Sequence, residues 1–78
     1  MNYNIEEELI KAISEYLEID SLASDSDLFN ICINDYMEFA EIIMLIEESF
    51  EVDLENYDIE DIKTIRQISQ IIRNKNEA

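Results

Sequence analysis

The side chains that carry most enzymatic chemistry are missing from this sequence. It contains no His, no Gly and a single cysteine, Cys32. These absences exclude imidazole-based triads, His-ligated zinc sites, Cys-rich metal sites, P-loops and dinucleotide fingerprints. The many carboxylates offer pairs, but no pattern in the sequence marks a cleft that would raise the pKa of one of them. We therefore predict that the protein is not an enzyme, has no catalytic residue and binds no metal.

The most informative spacing lies in NDYMEFAEIIMLIEESF, residues Asn34–Phe50, which we predict to be the second main helix, with Asn34 or Asp35 as its N-cap. At 100° per residue, one side of this helix is an apolar core face. That face comprises Phe39, Ile42, Ile43, Ile46 and Phe50. The other side carries a row that we call the docking strip. It comprises Met37, Ala40, Glu41, Met44 and Glu48.

The docking strip has two interpretations, because a water-facing helix side rarely places Met, Ala and Met in a row. The first is that a second layer of core covers it. The second is that it binds a partner through two adaptable Met side chains rimmed by acidic residues. Besides Glu41 and Glu48, the predicted rim comprises Asp35, Glu38 and Glu47.

The net charge of −15 in 78 residues limits the partners of this chain. It argues against nucleic acid as a direct ligand and favours basic protein surfaces, although acid can also serve only to keep a small domain in solution. No apolar run approaches membrane-spanning length, so we expect no membrane association. A lone cysteine cannot form an internal disulfide, which indicates a reducing, cytoplasmic location. We also expect a monomer.

The remaining residues predict the helices that hold the Asn34–Phe50 helix in place. One domain spans residues 1–78. The first helix runs from Ile5 to about Glu18 behind an Asn4 N-cap. Its apolar stripe is Ile5, Leu9, Ala12, Ile13, Tyr16 and Leu17. A loop over Asp20–Asn34 follows, and we expect four of its side chains to reach the core. These are Leu22, Leu28, Phe29 and Ile31.

The C-terminal part of the chain predicts a short helix and a long one. Val52 and Leu54 should point inward, and Asn56 should begin a short helical piece. Its expected apolar contacts are Tyr57, Ile59 and Ile62. Thr64 should cap the last helix, and the residues after Arg73 should fray. The buried edge of that helix should be Ile65, Ile68, Ile71 and Ile72. The fold class is therefore all-α, a small four-helix bundle of three main helices and one short one.

The segment DLFNICINDYMEFAEIIMLIEESFEVDLENYDIEDIKTIRQISQII resembles the second half of an acyl carrier protein. That family shows Gly-x-Asp-Ser-Leu-Asp/Glu followed by a helix ending in Glu-Glu-x-Phe. Asp35 matches the Asp, Met37 the Leu and Glu38 the acidic residue, and residues 47–50 match the helix end. The N-terminal part also fits with a slightly shortened loop, so the resemblance covers about the whole chain and implies the carrier-protein fold.

The sequence departs from this family at the attachment site for its prosthetic group. Tyr36 stands where the family has Ser, and Ile33 stands where it has Gly. In carrier proteins that Ser is esterified by 4′-phosphopantetheine. A Tyr phenol lies several ångströms further from the backbone, so we predict that Tyr36 is unmodified and that there is no cofactor. The alternatives are a modified Tyr36, a Tyr replacing Ser in an altered parent, and a thioester on Cys32. Ser21, Ser24 and Ser26 lie nearby without the family context.

The resemblance leads to three hypotheses of function. The first is a non-enzymatic carrier-protein-like module that docks on a basic surface of an enzyme or transferase. That partner would belong to a fatty-acid, polyketide or nonribosomal-peptide type pathway. The main alternative is a working acyl or peptidyl carrier, loaded with 4′-phosphopantetheine at a non-standard residue or altered from a Ser-containing parent. The third hypothesis is an acidic mimic of nucleic acid, which would need carboxylates spread over a long face without a Met strip.

Overall fold

The protein is described by a computed structural model that covers residues 4–77, with side chains through Lys75. Four α-helices follow one another: α1 (Ile5–Leu17), α2 (Leu28–Ile31), α3 (Tyr36–Phe50) and α4 (Ile65–Glu77). A 3₁₀ turn, Ile59–Asp61, precedes α4. Within residues 4–77 the chain forms no strand, only one isolated antiparallel bridge between Asp27 and Thr64. The predicted all-α bundle, with its three long helices, is confirmed.

Each long helix begins at a polar side chain that the sequence predicts as its cap. Asn4 Oδ1 accepts a hydrogen bond from the backbone N–H of Glu7 at 3.1 Å. The N–H of Gln67 donates to Thr64 Oγ1 at 3.2 Å. Of the two candidates before α3, Asp35 is the cap, and its carboxylate lies 3.3 Å from the backbone N of Glu38. Each cap satisfies a backbone donor that has no partner within the helix and stabilises it by about 1 kcal/mol.

Two of these helices end on glutamates in a conformation that usually belongs to glycine. Glu18 (φ 57°, ψ 45°) follows α1, and Glu51 (φ 52°, ψ 51°) follows α3. Their N–H groups donate to the carbonyl oxygens of Ser14 and Glu47. The left-handed region is unfavourable for residues with a Cβ and is usually occupied by glycine, which this chain lacks.

The core forms where α1, α3 and α4 meet. The long helices contribute Ile5, Leu9, Ile13, Phe39, Ile42, Ile46, Ile65, Ile68 and Ile72. Val52 and Leu54, between α3 and the 3₁₀ turn, are buried as predicted. Ile43, Phe50 and Ile71 pack against this core while remaining partly exposed. The apolar spacing therefore places α3 correctly, with one face inward.

The predicted loop over residues 20–34 contains the short helix α2. The sequence did not indicate this helix, because the apolar residues of the segment show no helical period. Asp27 caps α2 by accepting a hydrogen bond from Asn30 N at 3.0 Å, and Leu28 is fully buried. Two backbone hydrogen bonds fasten this segment to the start of α4. They join Leu28 N to Lys63 O at 2.6 Å and Arg66 N to Ser24 O at 2.9 Å. The prediction of a core contact at Ile31 is wrong, because its side chain points outward from this single turn.

The C-terminal part of the chain differs from the prediction in the short helical piece, in the burial of its apolar residues and in the end of α4. The piece expected from Asn56 is only the 3₁₀ turn, and Ile62 alone of its three apolar residues is buried. Ile59 is 44% exposed, since the chain leaves 3₁₀ geometry at Ile62 (φ −132°) and the two side chains no longer share a face. Tyr57, which is 43% exposed, precedes the turn and lines a surface groove instead. The helix α4 continues past Arg73 to Glu77. In the part of the chain that is described, the longest apolar helical stretch is too short and too polar to span a bilayer.

Candidate functional site

The docking strip on α3 lies at the surface. Met37 is 73% exposed and Met44 is 58% exposed. Ala40, Glu41 and Glu48 are exposed as well. The interpretation of this row as a second layer of core is therefore wrong. Two unbranched thioether side chains standing in water beside carboxylates form a surface that can adapt to an apolar partner. That a partner binds there stays a prediction.

The predicted acidic rim is less uniform than its sequence indicates. Glu41 and Glu48 project into solvent, whereas the Asp35 carboxylate caps α3. Glu47 is half-buried, and its Oε2 accepts a hydrogen bond from the backbone N–H of Leu54 at 2.8 Å. Glu38 is also half-buried and lies close to Cys32, whose pKa it helps to raise. Glu47 thus holds the connection after α3, and Glu41 and Glu48 are the carboxylates most available to a partner.

Tyr36 is the first residue of α3, and its ring lies on a ladder of aromatic side chains. The rings of Tyr36 and Phe29 stack with centroids 5.2 Å apart and planes 6° apart. Phe29 in turn meets the buried Phe39 edge to face, with centroids 5.3 Å apart and planes at 90°. The ladder runs from the core to Tyr36, which is 59% exposed. The sequence did not reveal it, because Phe29 lies in an aperiodic segment.

These residues do not fit 4′-phosphopantetheine as carrier proteins hold it. A Ser hydroxyl at the start of a helix lies one carbon from the backbone, whereas the Tyr36 hydroxyl lies at the far end of a ring stacked on Phe29. Ile33 and Ile31, 46% and 42% exposed, add bulk to the same segment of chain. Exposed apolar and aromatic side chains therefore stand at the start of α3, next to the polar Asn34 and Asp35.

The other candidate nucleophiles near α3 are poorly placed for acylation. Cys32 is 1% exposed, and burial followed by the Glu38 carboxylate raises its pKa to about 11. Its thiol is therefore neutral near pH 7, whereas the reactive species is the thiolate. In the loop, Ser24 Oγ donates to the Glu6 carboxylate, and Ser26 Oγ accepts from Ala23 N at 2.9 Å. Ser21 is exposed but precedes no helix.

A groove between α1 and α3 is formed in part by residues of the docking strip. It has a volume of about 250 Å³, and its lining comprises Tyr16, Glu41, Met44, Leu45 and Glu48. Tyr16 is 39% exposed, so its predicted place in the apolar stripe of α1 is only partly right. Partial burial, followed by the neighbouring Glu41 carboxylate, raises the pKa of the Tyr16 hydroxyl. The sequence did not indicate Tyr16 or Leu45 as part of this surface, because Tyr16 belongs to the apolar stripe of α1 and Leu45 lies in neither the core face nor the docking strip of α3.

Two other features of the described residues do not contribute to this site. A larger groove of about 510 Å³ lies between the C-terminal ends of α3 and α4 and includes Tyr57, Ile71 and Lys75. Residues 36 and 51 lie fifteen helical positions apart, or about 22 Å, so this groove is remote from Tyr36. Among the residues described, no three Asp, Glu or Cys side chains converge as metal ligands would.

Comparison with curated proteins finds several relatives named acyl carrier protein. One from Buchnera aphidicola subsp. Acyrthosiphon pisum (strain 5A) is 32% identical over 75 residues, covering 94% of this chain and 94% of the relative. One from Buchnera aphidicola subsp. Schizaphis graminum (strain Sg) is 29% identical over 75 residues, covering 94% and 95%. No protein-family model matches the chain. No solved structure matches it significantly.

Proposed function

The chain belongs to the acyl carrier protein family, and we propose that it is a member without the phosphopantetheine serine that binds partners through α3. It is a non-enzymatic interaction module. Its partners are enzymes of a fatty-acid, polyketide or nonribosomal-peptide type pathway, on which it acts as a scaffold, regulator or decoy. It carries no prosthetic group on Tyr36.

The observation that carries this proposal is the position and contact of Tyr36. It follows the capping Asp35 as the first residue of α3, the place that the family pattern gives to Ser. Its ring is stacked on Phe29 instead of presenting a short aliphatic hydroxyl. A transferase site shaped for a Ser would have to admit both rings.

The exposed strip on α3 supports the second half of the proposal. Met37 and Met44 provide apolar contact area, and Ala40 between them lets a partner approach closely. Glu41 and Glu48 flank them and suit Arg or Lys on the partner, as the net charge of −15 suits a basic surface overall. Asp35, Glu38 and Glu47 strengthen the acidic field, while the Asp35 carboxylate also caps α3 and the Glu47 carboxylate also holds the connection after it.

The mass of the intact protein after co-expression with a broad-specificity phosphopantetheinyl transferase tests the absence of the arm. We expect the mass of the unmodified chain. Tyr36→Ser should gain the mass of the prosthetic group in at least part of the sample, because Asp35, Met37 and Glu38 are in place, and Tyr36→Ala should gain none. Addition of that mass to the unaltered protein, at any residue, would contradict the proposal.

The second candidate function is a working carrier, which the names of the relatives favour. In that case 4′-phosphopantetheine is attached at a non-standard residue, or the chain has been altered from a parent that carries Ser at position 36. Peptide mapping of any modified protein from the same experiment would identify that residue. The acidic nucleic-acid mimic is less well supported, since the exposed Met37 and Met44 interrupt its charged face. Competition of partner binding by DNA would identify such a mimic.

A further inference from the structure

The groove between α1 and α3 has a lining suited to one kind of side chain. We propose that it binds an arginine of the partner protein and that Tyr16, on α1, makes it prefer arginine to lysine. The inference rests on the proposed function, because it names the chemistry of a partner that docks on α3. It adds a second helix to the binding surface, beyond the strip itself.

The size and shape of the groove favour a single side chain. Its volume of about 250 Å³ is below the roughly 300–1,000 Å³ of sites that enclose small-molecule ligands. Its lining includes the apolar side chains of Leu45 and Met44 from α3 and the aromatic side chain of Tyr16 from α1. An aliphatic stem can lie along such a lining while its charged end stays at the rim.

The rim of the groove carries negative charge without a cation to balance it. Glu41 and Glu48 stand two helical turns apart on α3, about 10 Å along the axis, on either side of Met44. Among the described residues, the one ion pair joins Lys63 to Glu60, so neither rim carboxylate has a cationic partner, although the Tyr16 hydroxyl is a hydrogen-bond partner of Glu41. Asp35 and Glu38 add to the negative field at Tyr16. The complementary group is therefore a cation on an apolar stem.

Tyr16 distinguishes the two cationic side chains. A guanidinium is planar, stacks on aromatic faces and offers several N–H donors in a fixed fork, whereas an ammonium is a compact, strongly hydrated charge. A guanidinium that lies on the Tyr16 ring can direct its edge toward Glu41 or Glu48. An ammonium can pair with either carboxylate but gains less from the ring. We infer that Tyr16 contributes the selectivity and the carboxylates contribute the attraction.

The test measures binding of three capped pentapeptides to the full-length protein at low salt. They have the sequence Leu-Ala-X-Ala-Leu, with X as arginine, lysine or citrulline. Titration of the ¹⁵N-labelled protein should give amide shifts centred on Tyr16, Met44 and Leu45. The arginine peptide should bind about fivefold more tightly than the lysine peptide, in the range of an exposed cation–π contact. The uncharged citrulline peptide should not saturate the site.

Variants separate the role of the ring from that of the charge. Tyr16→Leu should reduce the preference for arginine to near parity, mainly by weakening binding of the arginine peptide, while Glu41→Gln should weaken both peptides. Tyr57→Leu is the matched control, since Tyr57 has similar exposure, 43% against 39%, and lines the other groove. It should change neither affinity. Helical circular dichroism checks that each variant is folded.

Three results would overturn the inference. They are equal binding of arginine and lysine peptides, an unchanged preference in Tyr16→Leu, and amide shifts that map outside the groove. The proposed function fails by a different result, the addition of a prosthetic group in the mass experiment. A chain that stays unmodified and shows no arginine preference would refute the groove alone, and a modified chain with the preference would refute the missing arm alone.

Discussion

Replacing Glu51 with glycine should stabilise the domain, although it removes a side chain from the end of α3. Glu51 has φ 52° and ψ 51°, a conformation that costs a residue with a Cβ about 1–2 kcal/mol. The acidic side chain also lies at the negative end of the helix dipole, where removing the unfavourable charge is worth about 0.3–1 kcal/mol. Glycine loses about 0.5–1 kcal/mol more backbone entropy on folding.

These contributions leave a net gain of about 1 kcal/mol for Glu51→Gly. In a chain of 78 residues, a gain of that size should raise Tm by about 4–8 °C. Glu51→Gln removes the charge but keeps the Cβ, so it should yield only the smaller electrostatic part. Glu18→Gly should repeat the gain at the end of α1, where φ is 57°.

Thermal unfolding followed by circular dichroism measures all of these variants, and Glu55→Gly is the matched control. Glu55 is exposed, and its φ is not among the positive values of the described residues, so glycine there should lower Tm through the entropy of the unfolded chain. An unchanged or lower Tm for Glu51→Gly would refute the reasoning. So would a gain fully reproduced by Glu51→Gln, because the backbone conformation would then contribute nothing.

Three further expectations concern binding, charge and the buried thiol. Met44→Glu should weaken partner binding by roughly 1–3 kcal/mol without unfolding the domain. Ser49→Glu is the control and should leave binding unchanged, because Ser49 is exposed on α3 but lies off the docking strip. Unfolding of the Met44→Glu chain would show that Met44 belongs to the core. Salt should raise Tm, because the Debye length falls from about 30 Å at 0.01 M to about 10 Å at 0.1 M and screens the acidic surface; a flat response would show that the carboxylates are already compensated. Cys32 should react with a thiol reagent at pH 8 about 100-fold more slowly in the folded chain than in urea, since its pKa is about 11 against an ordinary 9.0. Because the folded state keeps its proton longer, stability should fall between pH 9 and 11, and Cys32→Val should flatten that fall.

The long helices were predictable because their signals are local and repeated. Asn4, Asp35 and Thr64 are polar residues directly before apolar stripes of helical period, and each is the observed cap. The exposure of Met37 and Met44 also follows from their angular position on α3. Where a helix packs against the core on one face, the spacing of its apolar residues is enough to predict which side chains are buried and which are exposed.

The parts that were not predictable depend on contacts between distant segments. The helix α2 is a single turn, and its N–H at Leu28 is satisfied by the carbonyl of Lys63, which no local pattern indicates. The stack of Tyr36 on Phe29 and the position of Tyr16 beside Glu41 likewise require the packed structure. For the candidate site, the sequence predicted the α3 residues and missed the contributions of α1 and α2.

The two backbone hydrogen bonds from the 20–34 segment to the start of α4 have a consequence for how the protein is made. Ser24 and Leu28 are synthesised early, whereas their partners Arg66 and Lys63 emerge late. A nascent or truncated chain ending before Lys63 therefore cannot fasten the segment that carries Phe29, on which Tyr36 rests. The surface around Tyr36 should therefore be the last part of the domain to become ordered, once the start of α4 has emerged.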